Sequence, residues 1–430
     1  MKLNKILLAA GLSTLSLNSF AAAFQLSEHS ASGLGRAFAG DAAIAENASV
    51  VARNPALMSQ FSENQLSVVG TYIVPDVSLT GESAPVYSSA AGLDDDSIAP
   101  EAFVPATYFV MPIDDKFAVG FGLFSNFGLA TEFDEDYAAG QLAGKTEIVT
   151  INFNSSVSYK LNDRLTVAGG LNVIYADATI TRHLGDFSNA LAANGINVPA
   201  DTLAVDLEGD DYGYGYNLGV AYDIDENSRF GFHYRSKVDI TFDGTYTNEL
   251  PLIPSVFPNG QAGESQPGTV NIELPAIAEF SGSHKLDDKW GLHYSVMWTH
   301  WSSFERLEAY VPSQEDPIFE KEENFSDSFR YAIGTDYQLN AKVKLRAGIA
   351  YDETPTDSQL LSISIPDTNR LWLSAGANYL LDDSSSIDLG LSIVRGQDRT
   401  FTEADDAGGE WEFSSEGNAF ILAAQYNYAF

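Results

Sequence analysis

The residue types able to do chemistry are few in this chain. Six histidines, His29, His183, His233, His284, His293 and His300, are scattered along it, and there is no cysteine. None of the histidines sits in a GxSxG-like setting or an HExxH pattern, so no hydrolase signature is legible. Without cysteine there is no disulfide, thiol nucleophile or thiolate metal site, and nothing calls for a cofactor. Cations are scarce as well: 23 Lys and Arg stand against 59 Asp and Glu, a formal net charge of −36. So acidic a chain should repel nucleic acid. Against that background an inward-facing cation is informative, because it could hold an anionic group. Arg182 closes an alternating run and is one candidate. Lys321 lies in the stretch FEKEENF beside Glu320, Glu322 and Glu323, and its face cannot be read from the sequence.

Something must position these groups. The chain opens MKLNKILLAAGLSTLSLNSFA, with Lys2 and Lys5 ahead of an apolar stretch and a small-x-small site at Ser19-Phe20-Ala21. This predicts a secretory signal peptide over residues 1–21, cut after Ala21, with Ala23 as the alternative. Removing it leaves 21 cations and a formal charge of −38. No later stretch reaches the ~18 uncharged apolar residues of a spanning helix. Yet 12% of residues are aromatic. An exported, acidic, aromatic-rich chain without a spanning helix is either a secreted β-protein or an outer-membrane barrel.

The alternation decides between them. In the terminal FILAAQYNYAF, Phe420, Leu422, Ala424, Tyr426, Tyr428 and Phe430 share one face; Ile421, Ala423, Gln425, Asn427 and Ala429 share the other. An aromatic-tipped apolar face with period two is the pattern of a barrel strand. Short polar turns recur at 113–116, 161–164, 223–228, 286–289, 339–342 and 381–385. Long Asp, Ser, Gly and Pro-rich loops fall near 79–100, 130–144, 182–210, 247–266, 305–324, 354–369 and 400–412. Six turns and seven loops join fourteen antiparallel strands, with both ends of the barrel on the short-turn side. Parity puts Val167, Leu171, Val173 and Tyr175 of strand five toward lipid, and Asn172, Ile174, Ile180 and Arg182 inward. In strand eleven Val343, Leu345, Ala347, Ile349 and Tyr351 point out; Lys344, Arg346, Gly348 and Asp352 point in.

Residues 22–62 precede this all-β domain of 63–430. They are rich in alanine, with Gly33, Gly35 and Gly40 interspersed. Small side chains suit short helices packed in a confined space, so a helical plug inside the lumen is expected; a periplasmic linker would be more polar. Pro55 disfavours helix at Asn54 and cannot donate a backbone hydrogen bond. Asn54-Pro55 should therefore end the last helix of the plug and turn the chain toward the wall.

At this point the residues resemble a known family. SASGLGRAFAGDAAIAENASVVARNPA at 30–56 is similar to the N-terminal hatch of the long-chain fatty acid transporters (the FadL family) of Gram-negative outer membranes. The similarity continues in SNFGLATEF at 125–133, THWSSFERL at 299–307, SISIPDTNRLWLSAG at 362–376 and the terminal YNYAF. The resemblance implies a fourteen-stranded transmembrane barrel with an N-terminal hatch, and uptake of hydrophobic compounds by facilitated diffusion rather than an enzyme activity. It matches Asn54-Pro55-Ala56 to a hatch triplet near a kink in strand three, a candidate gate.

For the site, the resemblance implies that Arg182 and Lys321 hold the ligand carboxylate and that Asp352 is a polar pocket residue. Phe24, Leu26, Phe103, Phe124 and Phe127 are candidates to line an apolar tunnel, with ordinary plug or wall packing as the other reading. In strand three, KFAVGFGLFSNFG, Phe117, Val119, Phe121 and Leu123 face lipid while Gly120 and Gly122 face inward. Inward glycines permit a bulge or kink, and in the family such a kink makes a lateral opening. The glycines could instead simply accommodate the plug. Uptake of aromatic hydrocarbons and general diffusion through a porin are the alternative functions. The expected partners are a long-chain fatty acid, outer-membrane lipid and lipopolysaccharide, and the barrel assembly machinery acting on Phe430. A monomer is expected.

Overall fold

The computed structural model describes residues 23–430 apart from Ser358 and Asp406, so the expected signal peptide and its cleavage site lie outside the described residues. Fourteen strands form the wall: β1 Gln65–Ser83, β2 Ala102–Pro112, β3 Phe117–Phe124, β4 Thr146–Lys160, β5 Leu165–His183, β6 Leu203–Asp225 and β7 Ser228–Arg235. They continue as β8 Ile277–Lys285, β9 Trp290–Thr299, β10 Ser328–Asn340, β11 Val343–Asp352, β12 Arg370–Leu380, β13 Ser385–Gly396 and β14 Glu410–Ala429. Each pairs antiparallel with the next, and β14 returns to β1 from Gln65↔Ala429 to Ser83↔Glu412. At the seam Asn64 and Phe430 exchange backbone hydrogen bonds of 3.2 and 3.1 Å. Closure leaves no strand of the wall with a wholly free edge, the condition for a β-structure that crosses a bilayer. Six further segments extend the wall beyond the long loops: Gly128–Thr131, Val238–Thr247, Gln266–Leu274, Arg306–Tyr310, Phe319–Glu322 and Arg399–Ala404.

The short turns share one local cause. Asp114 Oδ1 accepts from the amides of Lys116 and Phe117 at 2.8 Å each. Asn162, Asp287 and Asn340 do the same two and three residues on, at 2.7–3.0 Å. An Asx side chain that imitates a backbone turn fixes the reversal and with it the strand register.

The faces follow the alternation. Leu171 is 69% exposed, and Leu345, Ile349, Tyr351, Phe420, Leu422 and Tyr426 are exposed too; their neighbours Asn172, Ile174, Arg346, Asp352, Ile421 and Gln425 are buried. Phe103 overturns an expectation. It is 45% exposed on the outer face of β2, over Gly70 of β1, and cannot line a tunnel. The inward residues of β2 are Ala102, Val104, Ala106, Tyr108 and Val110.

The segment before the wall fills the lumen. It contains two four-residue helices, α1 Ala31–Leu34 and α2 Val50–Arg53, and a 3-10 turn over Pro55–Gln60. Its main chain rests on inward glycines of the wall. A Cβ on Gly231 or Gly348 would overlap the Ala42 or Arg36 carbonyl, and one on Gly390 would come within 2.5 Å of the Ala31 carbonyl. Gly376 meets Gly35, Gly334 meets Arg36 and Ala39, Gly219 meets Asn54, and Gly120 meets Met58 and Val51. Close main-chain approach of this kind needs a wall without side chains at those points. Buried charges add a latch. Arg36 contacts Glu46 at 2.9 Å and Asp336 at 3.2 Å. Glu46 also contacts Lys344 at 2.7 Å and Arg346 at 3.2 Å, and Arg346 reaches Asp388 at 2.6 Å.

Candidate functional site

Beyond the plug, the long loops enclose an open-mouthed cavity of 1210 Å³. Its apolar lining includes Leu184, Phe187, Phe257, Phe319 and Leu361, and its polar lining includes both Arg182 and Lys321. The two cations predicted from the sequence are therefore brought to one cavity, although 139 positions separate them in the chain. β5 carries Arg182 inward at its outer end, where it is 4% exposed. The segment Phe319–Glu322 carries Lys321.

A single tripeptide connects them. Arg182 Nη2 donates to Ser364 Oγ at 2.9 Å, and Lys321 Nζ donates to Ser362 Oγ. The other partners of Arg182 are also neutral oxygens, the Thr181 carbonyl at 2.7 Å, Thr146 Oγ1 at 3.2 Å and the Lys145 carbonyl at 3.4 Å. Its guanidinium lies 5.8 Å from the Phe319 ring centroid. Among the described residues no acid lies within ion-pair distance of Arg182, whereas Lys321 pairs with Glu403 at 2.9 Å. Glu323, on the loop beside them, is buried, and its Oε1 has no hydrogen-bond partner. Burial pushes its carboxyl up to about 7, opposed by Lys321 and Arg182 and assisted by Glu403. The Ser362–Ser364 strap and Glu403 escaped the sequence reading. Nothing local in the run SISIPDTNR shows that its serines fall on two distant cations.

Asp352 is buried at the end of β11, opposite Arg330 of β10 and Arg370 of β12 in the sheet register. It stands among wall cations and is not among the cavity-lining residues. Phe24 and Phe127 belong to an aromatic cluster with Trp301 and Phe304, with ring centroids 4.6 Å apart for Phe24–Trp301 and 5.4 Å for Phe24–Phe304. Leu26 packs toward Gly128. Phe124 is buried lower down, beside Tyr108 and His29 and with the Arg235 guanidinium 5.3 Å away.

The wall is interrupted at β3. Phe124 pairs with Asn152 of β4, and Gly128 pairs with Val149, so three residues, Ser125–Phe127, oppose two. This is a bulge, and it turns the chain inward, where all three residues are buried. On the neighbouring side β3 pairs with β2 only from Thr107↔Leu123 to Pro112↔Ala118. Ala102–Ala106 of β2 pair with β1 and have no β3 partner. The inward bend is held by the N-terminal residues instead: Leu26 N donates to the Asn126 carbonyl at 2.7 Å, and Gly128 N to the Phe24 carbonyl at 2.9 Å. His29 Nε2 lies 3.0 Å from the Ser125 carbonyl. The break thus falls after the two glycines expected to cause it. Gly120 and Gly122 lie in unbroken ladder, and Gly120 gives room to Met58 and Val51 of the plug.

Asn54 ends α2 and caps the 3-10 turn that Pro55 begins. It is fully buried. Its Nδ2 donates to the Ala42 carbonyl at 2.6 Å and the Val220 carbonyl at 2.9 Å, and its Oδ1 accepts from Ala56 N at 3.1 Å. The triplet therefore docks on β6, while Val51 and Met58 on either side of it face β3.

Residues 12–430 match the family described as outer membrane protein transport protein (OMPP1/FadL/TodX). The chain is 41% identical to a long-chain fatty acid transport protein of Escherichia coli O6:H1, over 99% of this chain and 98% of the relative. It is 38% identical to outer membrane protein P1 of Haemophilus influenzae, over the whole of both. In fold it is similar to a Pseudomonas aeruginosa FadL homologue, with a TM-score of 0.85 at 22% identity over 95% of this chain and all of that one. It is also similar to the Pseudomonas putida toluene transporter TodX, with a TM-score of 0.68 at 16% identity over 96% and 99%. A closed fourteen-stranded wall, a lumenal N-terminal plug and a full-length family match make this chain a member of the OMPP1/FadL/TodX family of outer-membrane transport proteins.

Proposed function

We propose that this protein takes up long-chain fatty acids across the outer membrane by facilitated diffusion. The observation that carries this reading is the convergence of Arg182 and Lys321 in one cavity that also carries apolar side chains such as Leu184, Phe187, Phe257 and Leu361. A fatty acid has one carboxylate and a long tail, and a buried guanidinium with a part-exposed ammonium among apolar side chains suits both. An uncharged aromatic hydrocarbon would leave both cations without a ligand, which favours the acid. The fully matched relative named for long-chain fatty acid transport supports the same choice.

From the cavity the tail would pass the aromatic cluster of Phe24 and Phe127 toward the bend in β3. The stretch Ala102–Ala106, which lacks a partner on its β3 side, is the proposed way out, sideways into the bilayer. A long alkyl chain has reason to take it, since each CH₂ kept from water is worth ~0.8 kcal/mol. Lipopolysaccharide around the wall, recognition of Phe430 during assembly and a monomeric state complete the reading.

Replacing Arg182 and Lys321 by Ala tests it. Each cation is expected to contribute about 1.5–3 kcal/mol to binding the acid. Affinity for the matching alcohol should be nearly unchanged, and equal losses for acid and alcohol would remove the carboxylate site. For the exit, Gly122→Phe would crowd Phe124 and Tyr108 beside the bend. It should stop uptake while ligand is still captured; normal uptake by a folded Gly122→Phe barrel excludes this route.

A further inference from the structure

Lys321 faces the cavity already paired. Glu403 Oε1 lies 2.9 Å from its ammonium, and Glu403 Oε2 accepts from the Ile363 amide at 3.0 Å. The lysine side chain is 19% exposed and the glutamate 11%, and both line the cavity. Arg182 differs, since only neutral oxygens contact it. Of the acids at the empty site, Glu320, Glu322, Glu403 and Glu410 in the lining and buried Glu323 beside it, only Glu403 is ion-paired to either cation among the described residues, and it sits on Lys321 alone.

The position of Glu403 suits exchange. One of its oxygens is fixed on the strap, so the carboxylate stays in place whether or not the other oxygen is on Lys321. The strap is itself buried at Ser362, Ile363 and Ser364 and is held by Thr131 Oγ1, which donates to the Ser364 carbonyl at 2.8 Å. A ligand carboxylate entering between Arg182 and Lys321 would find no acid ion-paired to Arg182 and would have to share Lys321. Two unopposed cations in a desolvated pocket would bind an anion tightly and release it slowly. A resident acid on one of them weakens the grip without removing the preference for an anion.

We infer that Glu403 is a built-in competitor for the ligand carboxylate, holding Lys321 in the empty site, ceding it on capture and reclaiming it to release the ligand inward. This rests on the proposed carboxylate site at Arg182 and Lys321.

The test uses the full-length purified chain with Glu403→Gln, which keeps the size of the side chain and an acceptor for the Ile363 amide. Binding of oleate and of oleyl alcohol is titrated, and oleate uptake is measured in cells. Glu403→Gln should bind oleate about five- to tenfold more tightly, as expected when one charge-assisted contact is relieved of competition. Oleyl alcohol should bind as before, uptake at saturating oleate should fall, and Glu403→Asp should restore wild-type behaviour. Unchanged or weaker oleate binding overturns the inference, as does equal tightening for acid and alcohol. If the wild-type chain shows no preference for acid over alcohol, the underlying site fails instead. Should the single variant not fold, Lys321→Met/Glu403→Gln is compared with Lys321→Met alone. With Lys321 gone there is nothing to contest, so the two should bind oleate equally, and tighter binding by the double variant overturns the inference by assigning the effect to repulsion at a distance.

Discussion

Gly348 of β11 lies directly against the Arg36 carbonyl of the plug, so that a Cβ on the glycine would overlap the oxygen. Arg36 cannot retreat, because Glu46 and Asp336 hold its guanidinium at 2.9 and 3.2 Å. Gly348→Ala is therefore expected to overpack the seat at a cost of about 1–3 kcal/mol. The wall should still form, but Tm should fall and planar bilayers should show ion leak. A silent barrel with unchanged Tm would mean that the plug can shift without cost.

Glu46 is the shared acid of Arg36, Lys344 and Arg346. Glu46→Ala leaves three cations facing one another around a largely buried gap. Breaking a buried pair from one side typically costs about 3–5 kcal/mol. Protease sensitivity of residues 36–46 should rise, and adding Lys344→Ala should recover part of the loss. No recovery in the double variant would show that Lys344 is not coupled to the latch.

Asn54 and Pro55 should separate on substitution. Asn54→Ala orphans the Ala42 and Val220 carbonyls and removes the cap on Ala56 N. Each buried group left unpaired costs about 1–3 kcal/mol, so the plug should loosen from β6. Pro55→Ala keeps those bonds and should leave barrel folding intact. Uptake should fall in both, further for Asn54→Ala, with surface capture persisting in Pro55→Ala. Proportional loss of capture and uptake in Pro55→Ala would reduce the triplet to a structural turn.

Glu323 gives the site a pH response. Its folded-state carboxyl is raised to about 7 from 4.5, chiefly by burial. A raised acid favours the folded state fully below its unfolded value, and that contribution is lost as pH rises through about 7. The groups facing it are Arg182, Lys321 and Glu403. Protonation of Glu323 removes one negative charge from beside the cations. Oleate should therefore bind more tightly at pH 6.5 than at pH 8, whereas oleyl alcohol should not respond. Glu323→Gln should flatten the oleate profile; a profile identical to wild type would assign the response elsewhere.

Much of the wall was legible because a barrel writes itself locally. Asx turns such as Asp114 and Asn162 mark each reversal, and parity then fixes every side chain between them, as for Leu171 and Arg182. Phe103 was misplaced because its aromatic character was weighed ahead of its parity, and the small inward neighbours Ala102 and Ala106 already told against a lumenal position. Parity places Gly348 inward as it does Gly120 and Gly122, and Gly219, Gly231, Gly376 and Gly390 carry the same local signal. The bend itself was expected at Gly120 and Gly122 because glycine permits it. What produces it is one surplus residue in Ser125–Phe127, visible only in the pairing with β4. The Lys321–Glu403 pair and the serine strap join loops 82 and 41 positions apart, and no local pattern encodes such contacts.

The glycine seats also dictate an order of assembly. The plug rests by main-chain contact on β6, β7 and β10 through β13 and by the Met58 and Val51 side chains on β3, and it is tethered to β1. A body held that closely on nearly every side cannot be threaded into a finished cylinder. The strands must gather around it, and the β1–β14 seam must close last, once the seven seats are occupied. A variant that fails to seat its plug is then expected to stall with that seam open and β1 and β14 unpaired.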